Sequence, residues 1–200
     1  MNTNKTLIVI CCAVFKSEIM ALRQRHWPEM TIRFESSMLH MKPDKLASIL
    51  DTKLQPEFLE HHKALLIYGD CCIEMANFTK RSDVVRVCGN NCCELLLGKE
   101  TYKRLSHKGA FFLFPEWAHR WRHIFSVELG LNQANAASLM GEMHSKLVYL
   151  DTGVVPVPSA DLKECSRYCG LPWEVLKYPS TLYIEVFKTL GINSMHKDHQ

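Results

Sequence analysis

The chain has 200 residues, 47% of them hydrophobic and 22% charged, with a net charge of +3. That is enough apolar material for one sizeable globular core. The charge is too small to imply a nucleic-acid partner, and no stretch is long and apolar enough to span a membrane.

Lys5 precedes the apolar run Leu7–Phe15, which superficially resembles a short signal peptide. No small-residue cleavage pattern follows, and charge resumes at Lys16 and Glu18. A buried first strand over 6–12 (TLIVICC) is the better reading, and the cytoplasm the expected compartment. Residues 13–26 carry helical spacing and stop before Pro28. Residues 31–34 read as a short strand. Pro43 opens a helix with Leu46, Ile49 and Leu50 at core spacing.

Residues 64–68 (ALLIY) and 83–88 (DVVRVC) are further strands, each closed by a glycine, Gly69 and Gly89. Asp70 is placed to cap a helix carrying Cys71, Cys72 and Glu74. Asn91 and Glu94 form an Asn variant of the capping box, with Cys92 and Cys93 in the first turn. Residues 110–114 read as a strand, 116–125 and 131–145 as helices, and 147–150 as a strand ending in Asp151-Thr152-Gly153. Ser159 is placed to cap a helix that Gly170 stops. A weak strand over 173–177 and a last helix over 180–190 follow. The basic, aromatic run Trp117–His123 reads as an amphipathic segment with a solvated face.

Alternating strands and helices predict an α/β fold, a three-layer sandwich with a mainly parallel central sheet. One α/β domain is expected over 1–192, with a mobile tail over 193–200. The turns after residues 12, 69, 89 and 151 would then open at one carboxyl edge, where such sheets bind ligands.

Nine cysteines are many for an intracellular chain, and six stand as doublets: Cys11-Cys12, Cys71-Cys72 and Cys92-Cys93. Each doublet follows a strand. Thiols gathered in a reducing compartment are more often metal ligands or catalytic groups than disulfides. In the first turn of a helix, unpaired N–H groups and the dipole would favour thiolate. Three thiolates would accept zinc with one open position, or an iron–sulfur cluster with one non-cysteine site. The competing reading is that cysteine is a small hydrophobe, so that one member of each doublet faces the core. Cys165 and Cys169, four apart on one helix, read as core-facing. His40 could reach the same edge, and Asp151 fits a turn better than a cation site.

Cys12 with Glu18 six residues on, Leu39-His40-Met41-Lys42-Pro43, Tyr68-Gly69-Asp70-Cys71, Cys92 ahead of Leu96-Leu97-Gly98, Pro115-Glu116-Trp117 and Asp151-Thr152-Gly153 follow one another along the chain. In these segments the chain resembles the uncharacterised domain-of-unknown-function family DUF1638 of methanogenic archaea and anaerobic bacteria. Members of that family often sit near corrinoid-dependent methyltransferase systems. The resemblance implies that Cys12, Cys71 and Cys92 are the metal-binding members of the doublets. His40 would help to bind substrate or metal there, the alternative being a hydrogen-bonded loop histidine. Asn90 and Asn91 stand where the family pattern has His and Asp, and Cys11, Cys72 and Cys93 are additional.

Three functions follow as expectations. The first is an enzyme or accessory factor of corrinoid-dependent methyl transfer or one-carbon metabolism, holding zinc or an iron–sulfur cluster. Its partners would be a small-molecule substrate or a corrinoid protein, with corrinoid supplied through that partner. The second is a non-catalytic metal or cluster carrier. The third is a metal-free thiol redox protein. The sequence names neither the reaction nor the oligomeric state.

Overall fold

A computed structural model describes residues 5–178 and 182–189. The chain is α/β, with a parallel sheet of four strands and helices around it. The described strands form two parallel sheets, of four and three strands, and the described residues divide into two compact units. The expected tail over 193–200 lies outside the described residues.

Among the described residues, the first unit comprises 5–13, 22–98 and 182–189. Its strands are β1 (Thr6–Cys12), β2 (Thr31–Glu35), β3 (His62–Ile67) and β4 (Val84–Arg86). They run parallel in the order β2-β1-β3-β4. The central pair is buried on both faces over Ile8–Cys12 and Ala64–Ile67, which accounts for their continuous apolar runs. β1 is flanked by its successor β2 on one side and by β3 on the other. The gap between β1 and β3 is therefore a topological switch point, where open α/β sheets place ligands.

Helix α1 (Lys16–His26) follows a short 3₁₀ turn, and α2 (Pro43–Lys53) starts with proline at its first position. Leu46, Leu50 and the following Leu54 form the buried stripe of α2. α3 (Pro56–His61), α4 (Met75–Phe78) and α5 (Cys92–Leu97) are short.

The second unit comprises residues 14–21 and 99–179. After α6 (Lys99–Ser106), its strands β5 (Ala110–Leu113), β6 (Lys146–Asp151) and β7 (Trp173–Lys177) lie parallel in sequence order. The turn after Asp151 thus belongs to a different sheet from the turns after residues 12, 69 and 89, which corrects the expectation of one shared edge. Asp151 Oδ1 accepts the Gly153 N–H at 2.9 Å, so the turn reading of Asp-Thr-Gly holds.

The expected helix over 116–125 breaks into α7 (Pro115–His119), α8 (Trp121–His123) and a π turn. Trp121 is buried, while Arg120 and Arg122 pair with Glu116 and Glu164, so the basic run is a solvated, neutralised face. The helix expected over 131–145 is only α9 (Ala136–Met143). Asn132 Oδ1 accepts from the N–H of Ala134 at 2.9 Å and Asn135 Oδ1 from that of Asn132 at 2.7 Å. These local bonds compete with helical ones. α10 (Ser159–Cys169) begins at Ser159 rather than after it, and Gly170 closes it in the left-handed conformation. The last helix is α11 (Leu182–Thr189).

Glu18 is fully buried in this unit, and its Oε1 accepts the Thr152 hydroxyl at 2.9 Å. Burial raises its carboxyl above the ordinary value of 4.5. The folded chain therefore holds this proton more tightly than the unfolded chain. The resulting stability is present below 4.5 and is lost as pH rises through the folded value. Glu18→Gln should match wild type in acid and become the more stable protein, relative to it, as pH rises. Urea unfolding across the carboxylate range checks this, and a pH-independent difference would contradict it.

Candidate metal centre

The site forms where β1 and β3 end. Successive residues of a strand face opposite sides, so Cys11 and Cys12 part company at the end of β1. Cys11 is wholly buried, and its thiol donates to the Cys12 carbonyl at 3.3 Å. Cys12 stands beside Glu35 in the β1–β2 register, and Glu35 is held by Lys53 at 2.9 Å.

β3 leads into Tyr68, Gly69, Asp70 and Cys71. Gly69 permits a close approach: a Cβ there would lie 2.5 Å from Asn91 Cα. The two turns are joined at this point, as the Asp70 N–H donates to the Asn90 carbonyl at 2.8 Å. Arg86 at the end of β4 fastens both, pairing with Asp70 at 2.7 Å and reaching the Tyr68 and Gly89 carbonyls at 3.4 and 3.5 Å. Asn91 caps α5 as expected, its Oδ1 accepting the Glu94 N–H at 2.8 Å, and so fixes Cys92 at the first helical position.

Cys12 thus ends β1, Cys71 lies past the end of β3 and Cys92 starts α5. The proton affinity of the Cys92 thiol responds chiefly to the thiols of Cys12 and Cys71. These are the three that the resemblance selects. Among their neighbours, Cys11 and Cys72 are buried and Cys93 is half-buried. Cys88 is exposed two residues beyond β4. Cys165 and Cys169 are buried in the second unit, both on α10, matching the core-facing reading.

Two expectations about these thiols need correction. Cys71 and Cys72 do not lie in a helix, because α4 begins only at Met75. Asp70 is drawn to Arg86 and provides no cap. Nor are Cys71, Cys72, Cys92 and Cys93 shifted toward thiolate. The neighbouring Cys92 thiol, then burial, raises Cys71. The neighbouring Cys12 thiol and burial raise Cys92 well above its ordinary value. Burial alone pushes Cys93 up to about 12, and burial also raises Cys72. Thiols this close cannot all ionise without a compensating positive charge.

Among the described residues, no group of three or more His, Cys, Asp or Glu side chains is already arranged to hold a metal ion. By donor type the three thiols suit a soft cation, and such a cation would supply the compensating charge. His40 lies exposed on the 3₁₀ turn Ser37–Met41, with Nδ1 at 2.6 Å from the Ser37 carbonyl. A carbonyl only accepts, so this bond puts the ring proton on Nδ1 and the lone pair of the neutral ring on Nε2.

An open groove of about 490 Å³ is lined by Pro43, Asp70, Cys71, Cys72, Ile73 and Met75. Tyr68, which sequence reasoning passed over as a strand residue, is 1% exposed. Burial, and after it Cys12, Cys11, Glu35 and Cys71, raise its phenol far above the ordinary value. Arg86 was also passed over, although a charge inside the apolar run Val84–Val87 was a readable signal.

Fold and site together define a parallel α/β protein with a cysteine cluster at the switch point of its sheet. Residues 34–184 match the family described as Protein of unknown function (DUF1638), and the chain belongs to that family. Cys12 and Glu18 precede the matched span. No curated protein and no solved structure matches the chain significantly. Among the described residues, no helix is long and apolar enough to cross a membrane.

Proposed function

We propose that Cys12, Cys71 and Cys92 form a three-thiolate site for zinc or an iron–sulfur cluster, with one position left for a ligand. What supports this reading is that the three turns bearing Cys12, Cys71 and Cys92 lie at the switch point and the Cys92 thiol responds chiefly to the other two. Such a centre suits an enzyme or accessory factor of one-carbon chemistry, including methyl transfer with a corrinoid-carrying partner. A metal would supply the charge that lets a substrate thiol act as a nucleophile at neutral pH. The chain's residues would do the rest: Gly69 and Arg86 hold the thiol-bearing turns together, and His40 would offer Nε2 to substrate or metal. A carrier without turnover would use the same centre.

A metal-free thiol redox protein is the second reading. It is favoured by the absence, among the described residues, of a group already arranged for a metal. Elemental analysis of anaerobically purified protein separates the two. One zinc per chain, or iron with matching sulfide, is expected. A metal-free protein that is folded and active would overturn the metal reading.

A further inference from the structure

We propose that Cys71 and Cys92 are a reversible dithiol pair that reduces small-molecule disulfides. Cys71 is the thiol that meets the disulfide, and Cys92 is the one that resolves the product. This activity deepens the metal-free thiol reading of the site, names its substrate class, and rests on that reading.

The backbone brings the two residues together. A Cβ on Gly69 would lie 2.5 Å from Asn91 Cα, so the two turns touch just ahead of both cysteines. The Asp70 N–H donates to the Asn90 carbonyl at 2.8 Å. Arg86 ties the same turns, pairing with the Asp70 carboxylate and donating to the Gly89 carbonyl. Cys71 follows Asp70 directly, and Cys92 follows Asn91. The neighbouring Cys92 thiol also raises Cys71 more than burial does. Both thiols are free. Disulfides demand a narrow geometry. Cys92 is fixed as the first residue of α5, whereas Cys71 lies in neither helix nor strand. Cys71 can therefore adjust its backbone without breaking a helical or ladder hydrogen bond.

Access divides the roles. Cys71 is half-buried and lines the open groove of about 490 Å³ with Pro43, Ile73 and Met75, and Cys92 is not among the lining residues. A small disulfide entering the groove thus meets Cys71 first. Cys72 also lines the groove, but it is buried. Cys12 is 5% exposed and held in register with β2.

The exchange balances in two steps. Cys71 gives its proton to solvent and its thiolate attacks one sulfur of the small disulfide. That S–S bond breaks, the first small thiol leaves with a proton from solvent, and a mixed disulfide remains on Cys71. Cys92 then loses its proton to solvent and attacks the Cys71 sulfur. The second small thiol leaves, again taking up a proton. The protein's two thiols are oxidised to one disulfide, and the small disulfide is reduced to two thiols.

The test uses the full-length chain carrying Cys88→Ser, which removes the exposed thiol beyond β4. This parent protein is treated anaerobically with hydroxyethyl disulfide and trapped with N-ethylmaleimide. It is then mapped by peptide mass spectrometry without reduction, and the released mercaptoethanol is measured. The map should join Cys71 to Cys92, with about two small thiols released per chain, and dithiothreitol should restore both cysteines. Adding Cys92→Ser should stop the reaction at the mixed disulfide on Cys71, with about one small thiol released per chain. Adding Cys71→Ser should leave Cys92 unmodified. The parent map alone decides the pair if a variant does not fold. A disulfide joining Cys12 to Cys92, or Cys71 to Cys72, overturns this pair and leaves the thiol-redox reading standing. A small thiol lodged on Cys92 in the Cys71→Ser protein overturns the division of roles. A parent that forms no internal disulfide overturns both the pair and the thiol-redox reading.

Discussion

If the proposed site holds a metal, Cys92→Ser, purified without oxygen, is expected to lose it. The Cys92 thiol responds chiefly to Cys12 and Cys71. Its removal would take one sulfur from the proposed site. Substitutions in the outer shell of a metal site weaken retention about ten- to a hundredfold, so loss of a ligand should cost at least that. Cys12→Ser and Cys71→Ser should behave alike. Cys165→Ala is the control. That thiol is buried in the other unit against Cys169. Its removal should cost stability on the order of 1 kcal/mol through a small cavity and leave metal content unchanged. If all four variants keep their metal, or all four lose it, the three-thiol assignment is wrong.

Gly69→Ala should be the most damaging single methyl added to the site. The new Cβ would lie 2.5 Å from Asn91 Cα and 2.9 Å from the Asn91 backbone N and C. Backbone on both sides leaves no flexible side chain to yield, so one turn must move. The bond from the Asp70 N–H to the Asn90 carbonyl is lost with it, and Cys71 parts from Cys92. Overpacking of this kind costs about 1–3 kcal/mol, and metal retention should fall together with stability. Gly141→Ala is the matched control. That glycine lies in α9, and a methyl group added there would meet nothing within 4 Å. The change there should be neutral or stabilising by up to about 1 kcal/mol. Chemical denaturation and metal content of both variants check the pair, and a Gly69→Ala protein as stable as wild type would contradict the geometry.

Much of the site was legible because it sits on elements with strong local signals. β1 and β3 are continuous apolar runs, as strands buried on both faces must be. Asn91 with Glu94 announced the start of α5, and the cap is there at 2.8 Å. What was not legible depends on distant pairing. Nothing local tells β5, β6 and β7 to form their own sheet rather than extend the first, so the turn after Asp151 was placed at the wrong edge. The helix expected from Cys71 fails because Asp70 prefers the Arg86 guanidinium, a partner sixteen residues on in sequence. The direction of the thiol shifts was missed for the same reason. A first-turn position suggested thiolate, but contact among Cys12, Cys71 and Cys92 and their burial outweigh it. Tyr68 looked like the last core residue of a strand, and its buried hydroxyl, like that of Tyr149, has no partner among the described residues.

The central claim is that three sulfurs from three turns share one metal. X-ray absorption at the zinc or iron edge of anaerobically purified protein tests it most directly. A sulfur-dominated shell at about 2.3 Å, losing sulfur in Cys92→Ser and not in Cys165→Ala, is the predicted result. A shell of nitrogen and oxygen alone, or one unchanged by Cys92→Ser, would contradict it.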